Sequence, residues 1–220
     1  MKIILYIGFI YFFFYNYTSI ICKKILKYLE FKINIDISNT PSKLIIISSH
    51  TTIYDFFIGM IIYYGYFYNK YKLFCLMKKL FESIITPFLI FIDDKVQIIS
   101  VNPLKNGLTQ QIIEKLKNKD NFCLFIAPEG TRKLTTTIRK GYWIISKELN
   151  INVAYLGIDF HKKIITLEKD RKVNDEWSIE QEIFIKDIKK YTPLYPEKCF
   201  WTKDYYHLES LSSSESSSES

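Results

Sequence analysis

The sequence is short of the residues and patterns that mark several common protein classes. Its four cysteines are far apart and form no C-x-x-C pair, which argues against a zinc site. Cys75 and Cys123 lie in apolar runs and are expected to be buried thiols, which fits a reducing, cytosol-facing compartment. The only alanines are Ala127 and Ala154, so the composition is skewed and residue propensities carry little weight.

Patterns for nucleic-acid binding are missing as well. The chain has no helix-turn-helix, zinc-finger or RNP-type segment, although its formal net charge is +7. A basic protein without such a segment is predicted to meet anionic lipid rather than nucleic acid.

Charge is absent from Ile3 to Cys22, and Lys23, Lys24 and Lys27 follow directly. A helix of that length spans about 30 Å, the thickness of the hydrocarbon core, and the lysines would face the cytosol. No Ala-x-Ala-like site precedes the lysines, which disfavours a cleaved signal peptide. We interpret residues 1–30 as a membrane anchor helix that either spans the bilayer or lies in its interface.

A polar turn with one of the three histidines follows the apolar run 44–47. The run predicts a buried strand, and the residues after Asp55 predict a helix. Thr51 and Thr52 are candidate caps for that helix. His50 and Asp55 can meet only if His50 lies in the turn and Asp55 in the first helical turn. Asp55 would then accept a hydrogen bond from one ring nitrogen and leave the other free to act as a base.

A second apolar run, 122–126, leads into a turn of the same layout. This turn carries Glu129, Gly130, Thr131 and Arg132. Gly130 permits close approach of the backbone to a ligand, and the planar guanidinium of Arg132 suits phosphate. Two turns that follow strands of one sheet can be gathered at one edge of that sheet.

Together, His-x4-Asp and Phe-x-x-Pro-Glu-Gly-Thr-Arg resemble the glycerolipid acyltransferase family, of the 1-acylglycerol-3-phosphate acyltransferase type. The resemblance covers roughly residues 41–160, with a weaker extension to 196. It implies that His50 is the general base and that Asp55 orients it. It also implies that the second turn binds the phosphate of the acceptor, through Glu129, Gly130, Thr131 and Arg132.

Members of the family usually carry a third block, Phe-Ile/Val-Asp-Arg, between these two motifs. This middle block departs from its pattern here. We assign it to Phe91-Ile92-Asp93-Asp94, after a strand predicted at 88–92. Asp94 then stands where the phosphate-binding arginine is expected, and Lys95 is the nearest replacement. A carboxylate beside a phosphate is repulsive, which favours an acceptor other than lysophosphatidate.

Strand-like and helix-like segments alternate along the chain, which predicts an α/β fold with a mixed, mostly parallel sheet flanked by helices. Further strands are expected at 72–77, 153–158 and 163–168, and helices at 54–68, 104–117, 141–149 and 178–191. Residues 31–40 are predicted to be a connector, so the catalytic domain covers 41–200. Residues 208–220, nearly all Ser and Glu, are expected to be a disordered tail whose protein partner is unknown.

The predicted function is acyl transfer from acyl-CoA or acyl carrier protein to a hydroxyl of a lysophosphatidate-like membrane lipid. The resemblance implies no metal and no cofactor. Arg139 and Lys140, in a polar loop, either meet phosphate or are simply exposed. Three alternatives stay open: a different hydroxylated lipid acceptor, hydrolysis with Ser48 or Ser49 as nucleophile, and a non-catalytic membrane tether that uses the tail. The lack of a G-x-S-x-G elbow argues against hydrolysis.

Overall fold

The computed structural model describes residues 17–78, 95–101, 107–135 and 137–199. Its strands are β1 (Lys32–Asn34), β2 (Lys43–Ile47), β3 (Lys72–Lys78), β4 (Val96–Val101), β5 (Phe122–Ile126), β6 (Asn152–Asp159) and β7 (Ile164–Leu167). Its α-helices are α1 (17–28), α2 (Ile53–Ile62), α3 (Leu108–Leu116), α4 (Gly141–Leu149) and α5 (Trp177–Ile188). Helix α2 continues into a π-helical turn, Tyr63–Phe67, and a short 3-10 helix covers Pro196–Lys198.

The described strands form one sheet in the order β1-β7-β6-β2-β5-β3-β4. Neighbouring strands are parallel except β6 and β7, which are antiparallel, so the predicted mixed, mostly parallel α/β sheet is confirmed. In the register of β2 and β5, Ile47 lies opposite Ile126. The Ser48 N–H also donates to the Ile126 carbonyl at 3.1 Å. The segments that follow these two strands therefore leave the sheet side by side.

One face of the sheet is covered by α3, α4 and α5. Ile45 and Leu124 of the central strands are fully buried there against Ile112 of α3, Tyr142 of α4 and Phe184 of α5. Central strands that are covered on both faces read as continuous apolar runs, and this pattern made β2 and β5 predictable.

The opposite face is covered by α1, α2 and the π-helical turn. Leu26 of α1 and Ile62 of α2 are 0% exposed against Leu44 and Ile46 of β2. The Ser19 hydroxyl donates to the Gly65 carbonyl at 2.9 Å, so Gly65 lies where α1 approaches the turn closely. The described part of the predicted anchor is thus helical and packs on the sheet.

Two expectations about strands need correction. The segment 31–40, predicted as a connector, contains β1, which pairs with β7 at the sheet edge. The strand that pairs with β3 on its outer side begins only at Val96, and the sequence reasoning did not predict it. With Gln97 and Ser100 among its residues, β4 lacks the continuous apolar run that identified the other strands.

Other predicted segments lie outside the described residues. These are most of the uncharged N-terminal segment, the strand predicted at 88–92 and the Ser/Glu-rich tail at 208–220. Among the helices that the structure describes, none combines the length and the apolar character needed to cross a bilayer.

Candidate active site

The turn between β2 and α2 is held by hydrogen bonds within itself. Oδ2 of Asp55 accepts the Thr51 N–H at 2.6 Å and the Thr52 N–H at 2.8 Å. The Thr52 hydroxyl accepts the Tyr54 N–H at 3.3 Å, so Thr52 is the helix cap, as predicted. This reciprocal arrangement is a capping box, in which two N–H groups of the chain entering the helix are satisfied. It fixes the backbone on which His50 is placed.

Asp55 is electrostatically coupled to both other ionisable groups of the site. Burial raises its pKa above the ordinary value, and this outweighs the hydrogen bonds from Thr52 and Thr51. The nearby His50 lowers the pKa of Asp55, and the carboxylate of Glu129 raises it. His50 and Glu129 therefore lie close enough to Asp55 to influence its protonation.

Glu129 enters the site from the turn after β5. The Gly130 N–H donates to the Ala127 carbonyl at 3.0 Å, which closes a tight turn with Glu129 inside it. The residue is 7% exposed, and its Oε2 atom has no hydrogen-bond partner among the described residues. Oε2 lies 3.8 Å from Nδ1 of His50, which is also buried without a hydrogen-bond partner in the described part of the chain.

The structure differs here from the geometry predicted for His50. The expected hydrogen bond from a ring nitrogen to Asp55 is not formed, because Oδ2 of Asp55 is used by the backbone of its own turn. The carboxylate that faces Nδ1 is that of Glu129, at a distance beyond direct hydrogen bonding. Sequence reasoning located Glu129 in the turn, but no local pattern marked it as the neighbour of His50.

A small, partly open cleft lies beside Asp55. Its polar side is formed by Ser48 and Ser49, and the Ser49 hydroxyl is buried without a partner among the described residues. The remaining walls are mostly apolar and are built from β6, the end of α5 and the segment after it: Tyr155, Ile158, Phe160, Ile188, Tyr191, Pro193 and Cys199. The site therefore combines an ionisable cluster with a small adjacent cleft whose walls are mostly apolar.

The rest of the second turn faces outward. Gly130 and Arg132 are exposed and Thr131 is half-buried, and the Thr131 hydroxyl accepts the Lys133 N–H at 3.1 Å. The polar segment that follows returns to the turn at Arg139, whose N–H donates to the Pro128 carbonyl at 2.8 Å. The predicted phosphate-binding residues of this turn are thus next to the His50–Glu129 pair.

Lys95 is not brought to the site. It precedes β4, and its carbonyl accepts the Leu73 N–H at 2.8 Å near the start of β3. Its Nζ donates to the Tyr68 carbonyl at 3.3 Å and lies 4.2 Å from the centre of the Tyr68 ring. These contacts place Lys95 at the amino-terminal edge of the parallel strands, whereas His50 and Glu129 follow the carboxyl ends.

The middle block, assigned to residues 91–94, lies outside the described residues. The assignment rests on the match of Phe91-Ile92-Asp93-Asp94 to the family pattern, with Asp94 in place of the arginine. The strand that reaches the site edge is β4, and it ends at Val101. Residues 102–106, which follow it, lie outside the described residues. The expectation that Asp94 disfavours a lysophosphatidate acceptor therefore stays a prediction.

Thiols and metals offer no rival chemistry within the described residues. The four cysteines are free and buried, as expected for Cys75 and Cys123, and burial raises the pKa of Cys75 to about 12. A thiol with so high a pKa is not ionised near neutrality and is a poor nucleophile. No group of three histidine, cysteine or carboxylate side chains in the described part of the chain could hold a metal ion.

The comparisons with known proteins agree with the two motif turns. A family model described as Acyltransferase matches residues 32–153, more than half of the chain, and the match includes β1 and both turns. No curated protein and no solved structure matches the chain. The chain therefore belongs to the acyltransferase family, the glycerolipid acyltransferases that its two motifs resemble.

Proposed function

We propose that this protein is a membrane-associated O-acyltransferase. It moves a fatty acyl group from acyl-CoA or acyl carrier protein to a hydroxyl of a lysophosphatidate-like glycerolipid. One observation carries the proposal: Nδ1 of His50 faces the buried carboxylate of Glu129 at 3.8 Å, with the partly buried Asp55 nearby. Two carboxylates beside one imidazole can interact with the positive charge that a general base acquires during catalysis.

The chemistry follows from that arrangement. Nε2 of His50 takes the proton of the acceptor hydroxyl while the oxygen attacks the thioester carbonyl. The resulting imidazolium is stabilised by Glu129 through Nδ1–H and by the charge of Asp55. When the tetrahedral intermediate collapses, the C–S bond breaks and the imidazolium returns its proton to the leaving thiolate. General base catalysis of this kind contributes about 10²- to 10⁴-fold in rate.

Exposed apolar side chains near the site support membrane association. Tyr54 and Phe57, on either side of Asp55 along α2, are 57% and 53% exposed. On α1, Ile20, Ile21 and Tyr28 are exposed beside a group of lysines. Apolar and aromatic side chains together with lysines suit the surface of an anionic bilayer. In this orientation a lipid acceptor reaches His50 without leaving the membrane surface.

The membrane part of the proposal is tested by flotation with vesicles. A Tyr54→Ser/Phe57→Ser variant should float less with vesicles that contain anionic lipid than the unmodified protein does. A variant with serine at Leu134 and Ile179, two exposed apolar residues on other segments, is the matched control. Equal flotation of both variants would show that Tyr54 and Phe57 do not contact the lipid.

The catalytic part is tested with protein reconstituted in vesicles. Labelled acyl-CoA and acyl-loaded carrier protein are supplied with lysophosphatidate, glycerol 3-phosphate, zwitterionic lysophospholipids and monoacylglycerol as acceptors. His50→Ala should lower the rate by about 10² or more. His161→Ala, in the exposed turn between β6 and β7, should leave it unchanged. Label that appears in another lipid would show that the acceptor is not lysophosphatidate. The absence of any product that depends on His50 would overturn the proposal in favour of a tether.

A further inference from the structure

The polar loop after the second turn is anchored where it returns to that turn. Ile138 is 5% exposed and belongs to the core beneath α3 and α4. The next residue, Arg139, donates its N–H to the Pro128 carbonyl at 2.8 Å. A buried side chain on one side and a backbone hydrogen bond on the other fix the backbone of Arg139 beside Glu129 and Gly130.

The side chain of Arg139 lies directly on Gly130. A Cβ atom at Gly130 would be 2.6 Å from Nε and 2.9 Å from Cδ of Arg139, closer than non-bonded atoms approach. Gly130 also has φ of +63°, which favours glycine. The glycine of the motif is therefore needed for the turn and for the contact with the guanidinium.

The charge of Arg139 is not neutralised by the described residues. No carboxylate among them forms an ion pair with it, and the carboxylate of Glu129, next to Gly130, faces His50 instead. Arg139 is exposed, so its guanidinium is open to a ligand from solution or from a membrane surface. Lys95, another basic residue considered for phosphate, lies at the opposite edge of the sheet. Arg139 is thus a cation held next to the catalytic pair and available to an anion.

We propose that Arg139 is a substrate-binding residue that recognises the phosphate of the acceptor. This inference rests on the proposed acyltransferase function and names a residue, outside the Glu-Gly-Thr-Arg motif, that selects phosphate-bearing acceptors. The planar guanidinium donates two parallel hydrogen bonds to phosphate oxygens, a geometry that the ammonium of lysine does not offer. Held on Gly130, it places the phosphate so that the acceptor hydroxyl points toward His50.

The test compares acceptors that differ only in the phosphate. For Arg139→Ala, the KM for lysophosphatidate should rise about 10- to 100-fold, the loss expected for charge-assisted hydrogen bonds. The KM for the acyl donor and the rate with monoacylglycerol should not change. Arg139→Lys should recover only part of the loss. Lys133→Ala, an exposed lysine of the same loop, is the matched control and should behave like the unmodified protein.

A direct binding measurement keeps this inference separate from the proposed function. Binding of glycerol 3-phosphate is titrated by NMR for the unmodified protein, Arg139→Ala and Lys133→Ala. Weaker binding in Arg139→Ala alone supports the assignment even if no acyl transfer is found. Equal affinities, or an unchanged KM for lysophosphatidate, would overturn the role of Arg139 and leave the proposed acyl transfer intact.

Discussion

Two glutamates in the described part of the chain are buried, and their surroundings are opposite. Glu180, on α5, is 0% exposed and accepts hydrogen bonds from the Arg171 guanidinium at 2.8 and 2.9 Å. It also accepts the Tyr142 hydroxyl at 3.2 Å and the Asn174 N–H at 2.8 Å. Glu129 is 7% exposed, and its Oε2 has no partner among the described residues.

The difference in hydrogen bonding distinguishes a glutamate that stabilises the fold from one that is available for catalysis. A buried carboxylate is strongly unfavourable unless it is paired and hydrogen-bonded, and Glu180 meets both conditions. Among the described residues, Glu129 is not hydrogen-bonded, and its charge faces only the imidazole of His50, at 3.8 Å. Asp55 is intermediate, because one oxygen caps a helix while its charge acts on His50. Buried polar groups that lack hydrogen-bond partners are expected at functional sites, and Glu129 is such a group.

The largest change in stability is expected from Glu180→Ala. The substitution leaves the half-buried Arg171 without its partner and removes the acceptor of the buried Tyr142 hydroxyl. Breaking a buried ion pair from one side lowers the free energy of unfolding by about 3–5 kcal/mol. Urea denaturation measures the change, with Glu182→Ala on the exposed face of the same helix as control. A loss as small as that of the control would show that Glu180 does not hold the fold.

A smaller loss of stability is expected from Asp55→Ala, and this substitution should also lower activity. Removing the carboxylate from the capping box lowers the free energy of unfolding by about 0.5–2 kcal/mol. Asp55→Asn keeps an oxygen that accepts the Thr51 and Thr52 N–H groups, so it should restore much of the stability. It should not restore acyl transfer, because the charge that stabilises the His50 imidazolium is missing. Full activity in Asp55→Asn would mean that Asp55 only caps the helix.

The elements around the site could be predicted because burial leaves a simple pattern in the sequence. Strands β2 and β5 are covered on both faces and appear as apolar runs, and the turns after them carry the chemistry. Strand β4 could not be found in this way, since Gln97 interrupts its pattern. Lys95, the predicted replacement for the arginine of the middle block, lies at the other edge of the sheet from His50 and Glu129, which the motif pattern did not show.

Contacts between side chains that are far apart in the sequence could not be predicted from local sequence patterns. Glu180 and Glu182 are neighbours on the same polar stretch of α5, yet only Glu180 is buried. The difference arises because Arg171 is held against the start of β6 by two backbone hydrogen bonds with Val153. In the same way, the position of Arg139 on Gly130 depends on how a loop folds back, which residue spacing does not show.

Glu129→Gln should lower activity without lowering stability, whereas Glu180→Ala is expected to lower stability. The substitution removes an unpaired buried charge, so the free energy of unfolding should stay the same or rise by less than about 1 kcal/mol. Acyl transfer should fall at least about tenfold, because the imidazolium of His50 loses the carboxylate facing Nδ1. Glu148→Gln, exposed on α4, is the control. A clear loss of stability with normal activity would make Glu129 a structural residue like Glu180.

The smallest effect is a dependence of stability on pH that comes from Asp55. Its folded pKa is raised above the ordinary 3.8, chiefly by burial, so just above that pH the folded state binds more protons than the unfolded chain. Stability from this group is therefore present below 3.8 and is lost as the pH rises through the folded pKa. The difference in free energy of unfolding between the unmodified protein and Asp55→Asn should fall as the pH is raised through this range.

Taking that difference removes the contribution of other groups. For Glu168, burial raises the pKa, but hydrogen bonds from Tyr191 and Lys190 outweigh it and lower the pKa below the ordinary 4.5. Its stabilising effect is present above 4.5 and is lost at lower pH, opposite in sign to that of Asp55. Because Glu168 is the same in both proteins, it cancels in the comparison. A difference that is constant or increases with pH would show that the capping hydrogen bonds, and not burial, dominate the pKa of Asp55.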